Sequence, residues 1–509
     1  MNPLPTMDLR NLPISAFIAP DGSNRQAVAP LLEEALQLAL DYTSHASDLP
    51  PLPDGPPPLP APSLPEQGLP APELLVHLRT LVTASMHAAH PGYIGHMDSL
   101  PTTMSLVGDL LSAALNNNML SVEMSPAFSR LEWATLRELA RLFGLGARAG
   151  GLLLSGGSLA NLEALAIARN HVLGVRDGAL TSLGTRPVLF ASEAAHTSLQ
   201  KAAMLLGLGS QAVIPVPIDE TGHLDVHRLP TLIEQAQARG ERPFCVVATA
   251  GTTVAGLIDP LAAIADVAQR YGLWFHVDAA YGGALIFSRQ LRQRLAGIEQ
   301  ADSLTFNPQK WLYVAKTCAM LLLRDKELFT RAFHIPAPYM GQHPEEDDPD
   351  APPNLGEIGL QGTRHSDILK LWLSLQHLGR RGYAQLVEEA CRLTNLAYER
   401  LRTLPELRFA HAPETNLLCF RLEPAWLPPA AHDALNARVQ AALLEQERIF
   451  LSLPLYQGQR WLRAVLLHPA TNEALIERLR TGLERLITQE RRQARPQQAR
   501  QPDPDADPH

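Results

Sequence analysis

The sequence predicts an α/β domain with a mainly parallel sheet, and two stretches of the chain carry this prediction. In the first, the apolar, β-rich run RPFCVVATA (242–250) is followed by a turn and by DPLAAIADVAQRYG (259–272), where apolar residues recur at helical spacing. The strand-like run LWFHVDAA (273–280) then completes a βαβ unit, which implies parallel strands. The same alternation occurs earlier, in RPVLFAS (186–192) and HTSLQKAAMLLGLG (196–209).

The ends of the predicted elements support this assignment. In the helix of the βαβ unit we expect Asp259 as the N-cap, Pro260 as the first helical residue and Gly272 just past the end. A further strand is predicted in SLTFNPQKW (303–311). Ligands bind at the carboxyl ends of the strands in such sheets, so residues at those ends are candidates for a functional site.

The regions on either side have different patterns. Residues 26–44 carry apolar positions at helical spacing, and the 11 prolines within residues 50–72 predict an extended linker. Beyond residue 380, helices alternate with shorter strands. The predicted organisation is an N-terminal helical segment (1–105), a large α/β domain (106–379), a smaller α+β domain (380–490) and a polar, proline-bearing, disordered tail (491–509).

Composition and charge restrict the class of protein. The chain has 509 residues, of which 46% are hydrophobic and 19% charged, as in soluble globular proteins. Its net charge of −9 gives no electrostatic argument for nucleic acid or an anionic membrane as a partner. No apolar run approaches the roughly 20 residues of a membrane span, and the first residues lack the features of a signal peptide. We therefore expect a cytoplasmic protein that binds neither nucleic acid nor membrane.

The cysteines give no sign of a metal site. Cys245, Cys318, Cys391 and Cys419 are scattered, without a CxxC pair or the spacing of a Cys/His metal site. We expect free buried thiols, as is usual in a reducing compartment, and no bound metal.

Two features at predicted strand ends have chemistry that a ligand could use. In SGGSLANLEALAIARN (155–170) a glycine turn opens a helix, where backbone N–H groups and the helix dipole favour an anion. An ordinary helix start is the alternative. Asp278 ends a buried strand, where a carboxylate requires a positive or donating partner. A structural ion pair or a helix cap would also satisfy that requirement.

A histidine and a lysine are the other two candidates. His196 begins a helix after FASEAA (190–195), and a capping or core role is its alternative. Lys310 lies 32 residues past Asp278, after the next predicted strand. The chain has only 5 lysines against 38 arginines, and arginine does not readily form a Schiff base. Lys310 could be a surface residue, but its apolar flanks LTFNP and WLYVA argue against exposure.

These four features together meet the needs of one cofactor. A phosphorylated aldehyde needs an anion cradle, a lysine for a Schiff base and a carboxylate that keeps a pyridinium nitrogen protonated. It also benefits from a flat group over its ring. The combination predicts pyridoxal 5′-phosphate as the cofactor.

At these residues the chain resembles the group II pyridoxal-phosphate-dependent decarboxylases, which include the aromatic amino acid, glutamate, cysteine sulfinate and diaminobutyrate decarboxylases. The resemblance runs from about residue 75 to 485 and follows the family order. It is carried by HPGYIGHMDSLP, SGGSLANLEALAIARN, ASEAAHTSLQKAA, ATAGTTVAGLIDP, HVDAAYGG, NPQKW, QGTRHSDILKLW and WLRAVLLHPA.

The resemblance implies a fold-type I, aminotransferase-like architecture and a homodimer with active sites at the interface. It implies that the chain decarboxylates an L-amino acid to the amine and CO2, with Lys310 as the aldimine lysine, Asp278 as partner of the pyridinium nitrogen and His196 stacked on the ring. The other residues that it assigns are Gly157, Ser158 and Asn307 at the phosphate, Thr253 and Ala280 around the ring, Gln309 beside the lysine, and His96, Tyr339 and Arg463 toward the substrate.

The chain departs from the family pattern at two places. Gln309 stands where the family usually has histidine, and glutamine can neither carry a positive charge nor move a proton at neutral pH. Family decarboxylases also carry a loop tyrosine that protonates Cα, whereas this chain has no tyrosine from residue 340 to 371. Tyr339, His343 or water could take that role.

The missing tyrosine leaves a second reaction open. Decarboxylation with oxidative deamination would give an aldehyde in place of the amine. A third possibility, from another class of function, is a cofactor-binding partner protein with little turnover, although the presence of Lys310, Asp278 and His196 argues against it.

Overall fold

The structure, a computed structural model, describes residues 12–53, 55, 64–178, 180–336 and 351–498. The helices are α1 (Arg25–Ser44), α2 (Ala71–Thr83), α3 (Thr103–Leu115), α4 (Pro126–Leu142), α5 (Gly157–Leu173), α6 (Ser198–Leu205), α7 (Leu229–Ala238), α8 (Leu261–Tyr271), α9 (Glu327–Phe333), α10 (Ile368–Leu401), α11 (His432–Glu447) and α12 (Glu473–Gln498). The strands are β1 (Gly150–Leu154), β2 (Pro187–Ser192), β3 (Val213–Val216), β4 (Arg242–Thr249), β5 (Trp274–Asp278), β6 (Ser303–Phe306), β7 (Ala319–Leu323), β8 (Leu407–Phe409), β9 (Leu417–Leu422), β10 (Leu455–Tyr456), β11 (Gln459–Arg460) and β12 (Leu462–Val465).

A seven-stranded sheet forms the centre of the large domain, in the order β1-β7-β6-β5-β4-β2-β3. Strands β3, β2, β4, β5 and β6 run parallel to one another, and β7 runs antiparallel to both β6 and β1. Every residue of β1, β2, β5, β6 and β7 is buried, as expected of strands that helices cover on both faces. The prediction of an α/β domain with a mainly parallel sheet is confirmed.

The predicted βαβ unit is formed by β4, α8 and β5. Gly272 ends α8 in the left-handed conformation, with φ of 64°, as expected. The prediction for the start of the helix was wrong, because Pro260 and not Asp259 is the N-cap. The carboxylate of Asp259 instead accepts hydrogen bonds from the backbone N–H groups of Leu224 and Thr249, at 2.9 and 2.7 Å. Those bonds hold it in the core, away from the helix start.

The C-terminal region has its own antiparallel sheet, in the order β12-β9-β8, and its own hydrophobic core with α11 and α12. Helix α10 crosses the predicted boundary between residues 379 and 380, and Gly379 interrupts its helical geometry with φ of 61°. Helix α12 continues to Gln498 and therefore enters the segment 491–509 that we expected to be disordered. Residues 499–509 lie outside the described part of the chain.

Two further observations concern the cysteines and membrane-spanning helices. The four cysteines are buried and unpaired, as predicted. In the part of the chain that the structure describes, no helix combines the length and the apolar character needed to cross a bilayer.

Candidate active site

A cavity of about 300 Å³ lies at the carboxyl ends of the central strands. Thr249 at the end of β4, Asp278 at the end of β5 and Asn307 just after β6 meet there, as the parallel register requires. All nine residues that the resemblance assigns to the cofactor line this cavity: Gly157, Ser158, His196, Thr253, Asp278, Ala280, Asn307, Gln309 and Lys310.

The glycine turn between β1 and α5 forms one wall. A Cβ atom on Gly157 would lie 2.8 Å from Nδ2 of Asn307, so no side chain fits there without displacing Asn307. Oδ1 of Asn307 and Oγ1 of Thr249 are buried without a hydrogen-bond partner among the described residues. Because an unpaired buried polar atom costs about 1–3 kcal/mol, this wall is suited to a polar ligand.

Asp278 is held by hydrogen bonds alone. Its Oδ1 accepts from the backbone N–H of Ala280 at 3.1 Å, and its Oδ2 accepts from Nδ2 of Asn161 at 2.9 Å. Asp278 is only 6% exposed, and no positively charged side chain of the described residues lies within ion-pairing distance of it. The alternative of a structural ion pair therefore finds no partner in the described chain, and the negative charge remains available to a ligand.

His196 lies at the start of α6. Its Nδ1 accepts a hydrogen bond from the backbone N–H of Ser198 at 3.1 Å, so the ring proton is on Nε2. Burial lowers the pKa of His196, and the nearby charge of Asp278 opposes that shift. The ring is consequently neutral at physiological pH, and it lines the cavity as a flat group.

Lys310 lies in the turn after β6, where its backbone N–H donates to the carbonyl of Asn307 at 3.0 Å. Burial lowers the pKa of Lys310, against the attraction of Asp278. A lowered pKa increases the fraction of neutral amine, which is the nucleophilic form. Among the five lysines it alone lines the cavity.

The other lysines have different environments. Lys201 is exposed on α6, Lys316 forms an ion pair with Asp98, and Nζ of Lys326 lies 5.5 Å from the ring centroid of Trp133. Lys370 is buried on α10, with Nζ 3.1 Å from Oδ1 of Asp109 and 2.8 Å from Oδ1 of Asp367. Those two carboxylates and His365 have metal-ligand spacing, but the ammonium group of Lys370 already pairs with both carboxylates. The absence of a bound metal remains a prediction.

Gln309 has a structural contact that histidine would have to reproduce. The side-chain Oε1 of Gln309 accepts from the backbone N–H of Cys318 at 2.5 Å. The backbone N–H of Gln309 donates to the carbonyl of Cys318 at 3.2 Å. The side chain therefore fixes the lysine turn against the start of β7.

We expect Gln309→Leu to lower the free energy of unfolding by about 1–3 kcal/mol, because the buried N–H of Cys318 would lose its acceptor. Gln309→His keeps an acceptor nitrogen and should retain most of that stability. Urea unfolding of the cofactor-free proteins measures the difference. Equal stability of the leucine variant and the wild type would show that this hydrogen bond does not hold the turn.

His96 and Arg463 do not line the cavity but lie behind its wall at Thr253. Arg463 donates to the carbonyls of Thr253 and Gly95, at 2.6 and 2.9 Å, and to Nδ1 of His96 at 3.1 Å. Nε of Arg463 is buried without a partner among the described residues. The third residue assigned to the substrate, Tyr339, lies outside the described residues, as does His343.

Sequence reasoning missed several polar residues of the site: Asn161, Ser198, Thr249 and Tyr281 line the cavity, and His276 and Ser303 lie behind it. A signal for Asn161 was present. It is a polar residue within the otherwise apolar stretch of α5, three positions after Ser158 and therefore on the same face of the helix.

The chain also matches known proteins. A family model described as the pyridoxal-dependent decarboxylase conserved domain matches residues 56–423. The L-2,4-diaminobutyrate decarboxylase of Acinetobacter baumannii is 33% identical over 375 residues, which cover 71% of this chain and 73% of that protein. The motifs quoted from the sequence lie mostly within the range that the family model matches.

Two solved structures share the architecture. Mouse CSAD has a TM-score of 0.83 and 30% identity, covering 91% of this chain and 98% of that one. Oryza sativa TDC, solved with PLP and tryptamine, has a TM-score of 0.85 and 25% identity, covering 93% of this chain and 100% of that one. Both similarities extend over nine tenths of the chain.

Proposed function

The chain belongs to the pyridoxal-dependent decarboxylase family, and from this premise we propose that it converts an L-amino acid to the corresponding amine and CO2. It is a carboxy-lyase of the fold-type I architecture, and its cofactor is pyridoxal phosphate. The observation that carries the proposal is the shared cavity. The cavity brings together Lys310, the glycine turn and the carboxylate of Asp278, which forms no ion pair with a described residue. Unpaired polar atoms of Asn307 and Thr249 lie beside the turn.

The described residues fit this cofactor. The hydroxyl of Thr249, the amide NH2 group of Asn307 beside Gly157 and the glycine turn at the start of α5 suit a phosphate. Asp278 is placed to hold a proton on the pyridine nitrogen, and His196 to lie against the ring. When bound, the cofactor supplies an electron sink for the carbon–carboxylate bond that breaks.

The protein's own residues then have separate roles. Lys310 is the covalent attachment point, and burial, by lowering its pKa, increases the fraction of nucleophilic neutral amine. Asp278 accepts hydrogen bonds from Asn161 and Ala280, which hold its carboxylate toward the cavity. We place the substrate carboxylate on the side of the cavity at Thr253, behind which the guanidinium group of Arg463 lies, since a guanidinium group is the usual partner of a carboxylate.

The relative from Acinetobacter baumannii makes L-2,4-diaminobutyrate the first substrate to test. A second outcome, the aldehyde, is favoured by one observation, the absence of a tyrosine from residue 340 to 371. That reaction consumes O2 and releases ammonia, CO2, aldehyde and hydrogen peroxide. Mass spectrometry of the products, with an oxygen electrode, decides between them: amine equal to CO2 without oxygen uptake supports our proposal, and aldehyde with peroxide contradicts it.

We propose that the protein acts in the cytoplasm. Four buried, unpaired thiols fit a reducing compartment, where cysteines stay free.

We further propose that two copies associate through the N-terminal helices. Helix α1 buries only Val28 and α2 buries no residue at all, yet helices in proteins gain most of their stability from packing of an apolar face. Helix α1 carries an apolar stripe of Leu32, Leu36 and Leu40, all more than 50% exposed. Similar exposed apolar residues on α2 and α3 are Leu74, Val76, Leu78, Leu81, Leu106, Val107, Leu110, Leu111 and Leu115.

This surface is connected to the active site. The N–H of Thr102, just before α3, donates to the carbonyl of Tyr313 at 2.7 Å, and Oγ of Ser105 accepts from the N–H of Ala315 at 2.7 Å. Tyr313 and Ala315 follow Lys310 in the same loop. A second copy seated on α3 would therefore support the loop that carries the lysine, which fits active sites shared at the interface.

Replacing Leu36 and Leu110 together by glutamate is expected to give monomers, because two charges would be buried in an apolar contact. The mass in solution, measured by light scattering, should fall from twice to once the 55.6 kDa of the chain. Leu455→Glu, at an equally exposed leucine of the small domain, is the control and should leave the mass unchanged. A wild-type protein that is monomeric at all concentrations would refute the proposal.

A further inference from the structure

We propose that Asn161, His276 and Ser303 are positioning residues, joined in a one-directional hydrogen-bond relay that holds the carboxylate of Asp278 toward the cofactor. The inference rests on the proposed function, because it assumes that Asp278 partners the pyridine nitrogen. Asn161, on α5, lines the cavity, and His276 on β5 and Ser303 on β6 lie behind it.

The direction of the relay is determined at the carboxylate, which can only accept, so Nδ2 of Asn161 faces Asp278 and Oδ1 faces His276. Nε1 of Trp274 can only donate, and it donates to Oγ of Ser303 at 2.7 Å. Oγ of Ser303 also lies 2.7 Å from Nδ1 of His276. Because Oδ1 of Asn161 needs a donor, the hydrogen of the neutral His276 ring is on Nε2, and Nδ1 accepts from the hydroxyl of Ser303.

The same direction continues to the carboxylate. Nε2 of His276 lies 3.1 Å from Oδ1 of Asn161, which accepts. Nδ2 of Asn161 then donates to Oδ2 of Asp278 and to Oγ of Ser198, both at 2.9 Å. The reverse amide orientation would place the Asn161 oxygen against the carboxylate and its amide group against a donating nitrogen, so only one orientation satisfies every atom.

Burial makes this arrangement permanent. Asn161, His276 and Ser303 have at most 1% exposure, so water does not compete for their hydrogen bonds. Burial also lowers the pKa of His276 to about 4, and the ring stays neutral over the physiological range. The relay consequently presents Asp278 with a donor at all times and never with a second negative charge.

Both oxygens of Asp278 are thus oriented from different elements. Oδ2 is held by α5 through Asn161, and Oδ1 by the backbone N–H of Ala280. These two hydrogen bonds fix the orientation of the carboxylate toward the cavity before any ligand arrives.

The test measures cofactor binding and not turnover. Pyridoxal phosphate is titrated into the cofactor-free Asn161→Leu and His276→Leu proteins and into the double variant. We expect each single variant to bind about 10- to 100-fold more weakly, and the double variant no more weakly than the weaker single one. His276→Gln, which keeps a donor toward Asn161, should stay within about threefold of wild type.

A spectroscopic readout separates positioning from general loss of structure. With ¹⁵N-labelled cofactor, the ring nitrogen is expected to show the protonated shift in wild type and His276→Gln, and a shift toward the unprotonated value in Asn161→Leu. Asn436→Leu is the matched control: Asn436 is a fully buried asparagine of the small domain whose hydrogen bonds go to backbone groups. It should lower stability without changing the ring-nitrogen shift.

Several results would overturn the relay. One is an Asn161→Leu protein that binds the cofactor with wild-type affinity and keeps its ring nitrogen protonated. Another is a double variant in which the losses of affinity from the two leucine substitutions multiply. The third is a change of the ring-nitrogen shift in Asn436→Leu as large as that in Asn161→Leu. If Asn161→Leu does not fold, Ser303→Ala removes one atom from the far end and should still weaken binding several-fold. A protein that binds the cofactor through the relay but releases no CO2 would refute the proposed function and leave the relay standing, whereas no binding by wild type would refute both.

Discussion

Lys310→Ala is expected to lower the rate of CO2 release by about 10⁴-fold or more, because removal of a covalent catalytic group has effects of this order. No other lysine lines the cavity, so no neighbour can replace it. Lys310→Arg should be as inactive, because its guanidinium keeps the positive charge but does not form a Schiff base. Release of labelled CO2 from a carboxyl-labelled amino acid measures the loss.

The control for this prediction is Lys201→Arg, which removes an exposed amine on α6 and keeps its charge. It should retain activity within about twofold, as expected of a surface substitution. Borohydride reduction followed by peptide mapping should place the cofactor on Lys310 in the wild type and in Lys201→Arg. Full decarboxylase activity in Lys310→Ala would exclude the proposed mechanism.

Asp278→Asn is expected to lower activity by about 10²- to 10⁴-fold. Asparagine has nearly the same shape and can still accept from Nδ2 of Asn161, so the fold should survive. A neutral amide, however, does not hold a proton on the ring nitrogen, and the electron sink is weakened. Cofactor affinity should fall as well, since the charge pair with the pyridinium is lost.

Asp302→Asn is the matched control for this charge change. Oδ2 of Asp302 accepts from the backbone N–H of Phe275 at 2.8 Å, and the residue precedes β6 at the end of the sheet opposite the cavity. Its replacement should affect stability more than turnover. Equal losses of activity in the two variants would show that Asp278 acts through the fold and not through the cofactor.

The parts of the fold that depend on local periodicity were predictable. The β4–α8–β5 unit was identified because strand and helix periods differ and because Gly272 marks the end of the helix. The direction of β7 was not predictable, since the run AMLLL has no feature that distinguishes an antiparallel from a parallel strand. The predicted capping role of Asp259 was wrong because its carboxylate accepts from two backbone N–H groups of distant segments and not from the start of α8.

For the site, residues within one motif were predictable and partners between motifs were not. Gly157, Asp278 and Lys310 lie at or just after the carboxyl ends of strands, so the parallel sheet places them together. The relay depends on pairs such as Asn161 and His276, which are 115 positions apart, and no local pattern reports such a contact. The contact of Gln309 with Cys318 likewise appears only once β7 is in place.

The central claim is that this protein is a decarboxylase, and the release of CO2 from a panel of amino acids tests it most directly. The purified holoenzyme is incubated with aromatic, acidic, basic and aliphatic L-amino acids, including L-2,4-diaminobutyrate, with Lys310→Ala as background. We predict at least one substrate that yields CO2 and the matching amine in equal amounts. If no amino acid yields CO2 above the Lys310→Ala background, the claim is contradicted.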